Sequence, residues 1–172
     1  MNNLTIDVTA ACNIGCEFCY QDLDGSELSL DEIMTNVKAG INSKNIDIVE
    51  IGGGEPFMYR HLSELLTNLA CLGKRAHVST NATFIPQGLL DLESRVRDNT
   101  LIQASLHASN PSLYREVTKR NLFNNVISNI KKIKEKYETV ISSTIYDKNF
   151  DDVPNILNLA YELDLPIRIN LV

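Results

Sequence analysis

Leu4-Thr5-Ile6-Asp7-Val8-Thr9-Ala10-Ala11-Cys12-Asn13-Ile14-Gly15-Cys16-Glu17-Phe18-Cys19-Tyr20 joins a strand-like alternation to a loop with three cysteines. Leu4, Ile6 and Val8 alternate with Thr5, Asp7 and Thr9, the period of a strand that buries one face. The spacing Cys12-x3-Cys16-x2-Cys19 then gathers soft thiolate donors, which select iron–sulfur, zinc or copper(I) over hard cations. Structural zinc and electron-transfer clusters normally take four protein ligands. The remaining cysteine, Cys71, lies far away in a helical segment and reads as a buried helix thiol. Three thiolates with no fourth ligand nearby imply an open metal position, where chemistry can occur.

Outward from this loop, strand-like runs recur at 4–9, 46–51, 76–80, 101–106, 140–145 and 167–172. Helical patterns lie between most of them. The first carries Leu30, Ile33, Met34, Val37 and Ile41 on one stripe behind a capping box of Ser29 and Glu32. The second carries Leu62, Leu65, Leu66, Leu69 and Leu72 and stops at Gly73. A weaker helix is expected after Pro86, a clear one from Phe123 to Tyr137, and another from about Asp152 and Pro154. This alternation predicts a parallel sheet with covering helices.

One strand face is repeatedly polar. Gln103, Ser105 and His107 oppose Ile102, Ala104 and Leu106, and Arg168 and Asn170 oppose Ile167, Ile169 and Leu171. A doubly wound sheet buries both faces and favours continuous apolar runs. The expectation is therefore an α/β fold: a partial (β/α)6, TIM-like barrel of parallel strands with outer helices around a wet cavity. Ligands in such folds sit at the carboxyl ends of the strands.

Those ends hold the other notable residues. After the second run comes Gly52-Gly53-Gly54-Glu55-Pro56, where glycines admit a close backbone approach and Glu55 can accept from an ammonium group. After the third comes Ser79-Thr80-Asn81, and at the fourth Ser105-Leu106-His107, polar groups suited to ribose or carboxylate.

At 172 residues with net charge −6, the chain reads as one domain, 1–172, without further cysteines for auxiliary clusters. No apolar run approaches the roughly 18 residues of a membrane span, and no secretory signal opens the chain. The expected setting is cytoplasmic, where clustered cysteines mean metal or redox chemistry. The basic stretch Lys131-Lys132-Ile133-Lys134-Glu135-Lys136 reads as a solvated helix face, so neither nucleic acid nor membrane is an expected partner.

Together these residues resemble the radical S-adenosylmethionine (SAM) superfamily. Cys12-x3-Cys16-x2-Cys19, with aromatic Phe18 in place, matches its cluster motif, and Gly53-Gly54-Glu55-Pro56 matches its GGEP motif. Cys12-Asn13, Cys19-Tyr20, Ser79-Thr80-Asn81 and Ser105-Leu106 resemble the branch of molybdenum-cofactor, pyrroloquinoline-quinone and peptide-maturation enzymes. The resemblance implies that Cys12, Cys16 and Cys19 bind a 4Fe-4S cluster whose remaining iron is chelated by SAM. Reductive cleavage of SAM would then give a deoxyadenosyl radical that abstracts hydrogen from a peptide or small metabolite.

It further implies that Gly53, Gly54 and Glu55 hold the SAM amino group, that the Phe18 backbone meets adenine, and that Ser105 meets ribose or carboxylate. Arg120 stands where this branch carries an arginine for the SAM carboxylate, although Asn121 replaces the usual following glycine. Ala82 replaces a common glycine and His107 a frequent aspartate. A low-potential electron donor, flavodoxin or ferredoxin, is implied as partner.

Two other readings of the cysteine loop remain at this level. One is an iron–sulfur electron-transfer or structural protein that does not cleave SAM; the other is a zinc domain. No histidine lies near the loop, since His61, His77 and His107 are scattered, and electron-transfer proteins seldom need a GGEP-type turn. Arg168, Asn170, Gln103 and His107 on the inward faces point to a polar substrate.

Overall fold

Strands β1 (Asn3–Thr9), β2 (Ile48–Gly53), β3 (Arg75–Thr80), β4 (Thr100–Ser105), β5 (Glu138–Ile145) and β6 (Ile167–Leu171) form one sheet in sequence order in the computed structural model, which describes residues 2–172. Every neighbouring pair is parallel. Among the described residues no ladder joins β1 to β6, so the sheet is a partial barrel of the α/β class.

The connections hold helices α1 (Leu30–Lys44), α2 (Leu62–Cys71), α3 (Ser94–Asp98), α4 (Pro111–Thr118), α5 (Phe123–Lys134) and α6 (Val153–Glu162). No helix among the described residues is long and apolar enough to cross a membrane.

Local chemistry fixes the helix ends. Ser29 accepts from the Glu32 N–H while Glu32 accepts from the Ser29 N–H, the reciprocal box expected at the start of α1. At the end of α2, Gly73 takes a left-handed φ of 68°, its N–H donates to Ala70 O, and Lys74 N–H donates to Leu69 O. That pair of bonds is a Schellman stop, which glycine makes without a Cβ clash.

Three expectations are corrected. The stretch after Pro86 is a 3-10 turn at Leu89–Asp91 and the five-residue α3, not one helix. Gly88 enters it at φ 77°, a conformation that ends helical propagation. α4 was not expected; its signal is the Asn110 side chain accepting from Leu113 N–H, followed by Pro111 at the first helical position. Eight residues are too few for its apolar period to stand out. Cys71 is exposed, not buried, because it lies two positions beyond Leu69 and so off the stripe of Leu62, Leu65, Leu66 and Leu69.

The two strand faces differ as expected. Ile102 and Ala104 are fully buried beneath helices, as are Val49 and Val78, while Gln103 and Ser105 face the barrel interior. The core thus lies between sheet and helices, and the interior is left polar.

Candidate functional site

The cysteine loop begins where β1 ends. Thr9 Oγ1 accepts from Ala11 N–H, and Thr9 O accepts from Gly54 N–H at 2.7 Å. Glu55 N–H donates to Ala11 O at 2.8 Å, so the turn after β2 is bonded directly beneath the approach to Cys12. This proximity requires the glycines. Gly53 has φ 113°, and a Cβ there would meet Thr9 O at 2.3 Å; a Cβ on Gly54 would meet Ala11 O at 2.4 Å. The Gly54 carbonyl accepts no hydrogen bond among the described residues.

Glu55 follows and is 1% exposed. Its Oε1 accepts from Phe57 N–H at 2.9 Å and Thr80 Oγ1 at 2.6 Å, and its Oε2 from Asn81 N–H at 2.6 Å. A carboxylate offers about four acceptor positions, so one remains, on Oε2. Burial pushes the Glu55 carboxyl up to about 7 although these three donors pull the other way. A cation at the open position would restore its charge.

Asn81 carries the end of β3 to the loop. Its Nδ2 donates to Asn13 Oδ1 at 2.8 Å and lies 3.9 Å from Cys12 Sγ, and its Oδ1 accepts from Thr83 N–H and Oγ1. Thr83 Oγ1 accepts from Asn13 Nδ2, which closes a ring of three side chains around the base of Cys12. Ala82, between Asn81 and Thr83, stands at φ 53°, a left-handed conformation that glycine takes at less cost.

The far side of the loop rests on α4. Gly15 and Glu17 N–H donate to the carbonyls of Thr118 and Val117, which the helix end leaves without intrahelical partners. Glu17 accepts from Lys148 Nζ at 2.7 and 2.8 Å, from Lys119 Nζ at 3.3 Å and from Tyr146 Oη at 3.3 Å, and Lys148 in particular holds its carboxyl below the usual range. The Phe18 ring packs edge-on against His107 at 4.7 Å and Tyr146 at 5.4 Å.

Cys12, Cys16, Cys19, Phe18, Gly53, Gly54, Glu55, Ser79, Asn81 and Ser105 all line one cavity of about 590 Å³. Ser79 Oγ accepts from Gln103 Nε2 at 3.4 Å, and Ser105 makes no side-chain hydrogen bond among the described residues. Arg120 is not among the lining residues; its Nε donates to Asn13 O at 3.1 Å. Thr83, Glu17 and the end of α4 are not among the residues that the sequence singles out. Thr80 and Asn13 sit inside motifs already singled out, whereas nothing in the sequence links residue 17 to residue 148.

The donor set fits an iron–sulfur cluster. Burial, then the neighbouring cysteines, pushes the Cys16 thiol up to about 12, and burial raises Cys12 as well, so these two need a cationic centre beside them to stand as thiolates. Among the described residues no three histidine, cysteine or carboxylate side chains converge on one point, as the ligands of a single ion would. Thiolates that each take a separate iron of a cluster have no need to converge.

Comparison with known proteins gives the same direction. The family model described as the Radical SAM superfamily matches residues 6–160. A protein named "Probable GTP 3′,8-cyclase" from Sulfurisphaera tokodaii is 30% identical over 168 residues, covering 94% of this chain and 53% of the relative. SuiB of Streptococcus suis bound to its precursor peptide SuiA superposes with a TM-score of 0.84 at 16% identity, covering 98% of this chain and 39% of SuiB. SuiB bound to S-adenosylmethionine superposes at 0.80 with 18% identity, covering 98% and 38%. The chain spans about half the length of the curated relatives it matches.

Proposed function

The chain belongs to the radical SAM superfamily, and on that premise we propose that it is part of an enzyme that cleaves S-adenosylmethionine reductively to begin hydrogen abstraction from a peptide or a small metabolite. The observation that carries this reading is the meeting of all three loop cysteines with the Gly53-Gly54-Glu55 turn in one cavity. The family's 4Fe-4S cluster and SAM, when bound, supply a deoxyadenosyl radical.

The chain's own residues then have separable tasks. Cys12, Cys16 and Cys19 hold the irons, and Asn81 and Asn13 fix the first of these ligands in place. The free Gly54 carbonyl and the open position on Glu55 Oε2 receive the SAM ammonium. The Phe18 backbone lies against adenine, and Ser105 and Ser79 offer hydroxyls to the ribose or the carboxylate. Arg120 meets the SAM carboxylate through its Nη atoms, since Nε is engaged by Asn13 O. A bidentate guanidinium suits that group.

Peptide and small-metabolite substrates are each represented among the similar proteins, by SuiB with SuiA and by the GTP cyclase named above. A flavodoxin or ferredoxin is the proposed electron donor.

Anaerobic reconstitution with iron and sulfide tests the reading. Wild type should bind about four irons per chain, and adding SAM should change the reduced cluster's spectrum. Dithionite with SAM should yield 5′-deoxyadenosine. Cys16→Ala should bind no iron while Cys71→Ala binds the full amount. An iron-loaded wild type that neither binds nor cleaves SAM would overturn the proposal.

A further inference from the structure

We propose that the Nε2–H of His107 donates a hydrogen bond to the adenosine half of S-adenosylmethionine. The inference rests on the SAM-dependent reading above and adds to it a ligand contact peculiar to this chain. His107 follows the end of β4, continuing the inward face that carries Gln103 and Ser105, and it lines the cavity.

The imidazole is held from several sides. Its Nδ1 accepts from Thr144 N–H at 3.0 Å. Asn149 Nδ2 donates to His107 O at 2.9 Å and to Thr144 O at 2.8 Å, which locks the ends of β4 and β5 together beneath it. Phe18, between Cys16 and Cys19, covers the ring edge-on at 4.7 Å. Only 6% of the residue is exposed.

These contacts fix the tautomer. A nitrogen that accepts from a backbone N–H carries no proton, so in the neutral ring the proton resides on Nε2. Burial keeps the ring neutral by pushing its pKa down to about 4, and no charged neighbour opposes that. Nε2 has no hydrogen-bond partner among the described residues. It is not one of the fully buried unpartnered atoms, so it is open to the cavity, and an acceptor that enters the cavity can accept its hydrogen bond.

The position selects the occupant. His107 touches the loop that holds the cluster, and Ser105 lies two residues before it on the same face. The donor therefore stands beside Phe18, whose backbone the functional reading sets against adenine, and the adenosine of bound SAM offers ring nitrogens and ribose oxygens as acceptors. The ammonium end of SAM has no lone pair to offer and belongs at Glu55.

Two substitutions separate the two ring nitrogens. In His107→Asn the side-chain oxygen takes the place of Nδ1 and still accepts from Thr144, while the donor at Nε2 is lost. In His107→Gln the amide NH2 reaches the place of Nε2, while the acceptor for Thr144 is lost. Equilibrium dialysis of labelled SAM against anaerobically reconstituted protein gives the dissociation constants. His107→Asn should weaken SAM binding about three- to tenfold, the value of one hydrogen bond, and His107→Gln should stay within about twofold of wild type.

Competition by 5′-deoxyadenosine, which lacks the methionine half, should fall by the same factor in His107→Asn. Unchanged SAM affinity in His107→Asn overturns the contact. Equal losses in both variants, or loss of iron from either, overturn it too, by assigning His107 to packing or to holding the loop through Phe18. A wild type that binds iron but no SAM fails the functional reading itself, a separate result.

Discussion

Thr80 Oγ1 donates to Glu55 Oε1 at 2.6 Å, so the last residue of β3 fastens the carboxylate of the turn that follows β2. With Asn81 N–H on Oε2, two strand ends are clamped across 25 and 26 residues of sequence. The clamp also orients the one acceptor position left for a ligand.

Glu55→Gln should therefore destabilise the fold as well as weaken SAM binding. The new NH2 can replace only one oxygen, and either placement sets it against a backbone N–H that now donates. Leaving such a buried donor unsatisfied costs about 1–3 kcal/mol, visible as a lower urea midpoint in iron-free protein. Thr80→Val, which removes one donor to the carboxylate and also the acceptor for the buried Ala82 N–H, should cost about 1–3 kcal/mol. A Glu55→Gln protein as stable as wild type would show that the carboxylate is not clamped.

Gly54→Ala should lower iron content, because its methyl group would press on Ala11 O at 2.4 Å and displace the residue next to Cys12. Gly15→Ala, inside the cysteine loop itself, meets nothing within 4 Å and should load iron normally. Iron and sulfide assays after reconstitution compare the two. Equal loading in both would mean that the loop does not depend on the turn beneath it.

Arg120→Gln separates two tasks. If its Nη atoms meet the SAM carboxylate, SAM affinity should fall about tenfold, as for a charged hydrogen bond, with iron content unchanged. Reduced iron content would instead assign Arg120 to holding Asn13 O.

Opposed titrations at His107 and Glu55 predict a pH signature in the iron-free protein. The folded His107 pKa, about 4, lies below the ordinary 6.5, so its contribution is present above pH 6.5 and is lost as pH falls toward 4. The folded Glu55 pKa, about 7, lies above 4.5, so its contribution is present below pH 4.5 and is lost as pH rises through 7. Each amounts to about 3 kcal/mol, and between pH 5 and 6.5 they cancel. In His107→Asn the Glu55 part is no longer offset by His107, and stability should fall relative to wild type as pH rises from 5 to 6.5. Urea midpoints at pH 5, 6 and 7 test this; parallel profiles for the two proteins would refute it.

Some of this was legible in the chain because it is local. The Ser29–Glu32 box, the Gly73 stop and the alternation of Ile102 and Ala104 with Gln103 and Ser105 depend on residues a few positions apart. Short α4 and exposed Cys71 show where local reasoning ends: an eight-residue helix has little period, and a side chain's burial depends on which face its helix turns to the sheet.

By itself the sequence determined six parallel strands, their polar interior and the residues that gather at one end of the barrel, because strand and helix periods are written in neighbouring positions. Only the tertiary structure decided how those residues are held. Gly53 and Gly54 are required by Thr9 and Ala11, the Glu55 carboxylate is taken up by Thr80 and Asn81, and Glu17 is balanced by Lys148. Each of these is a contact between backbone or charge brought together by the sheet's register, and register is a property of strands packed side by side rather than of any one segment.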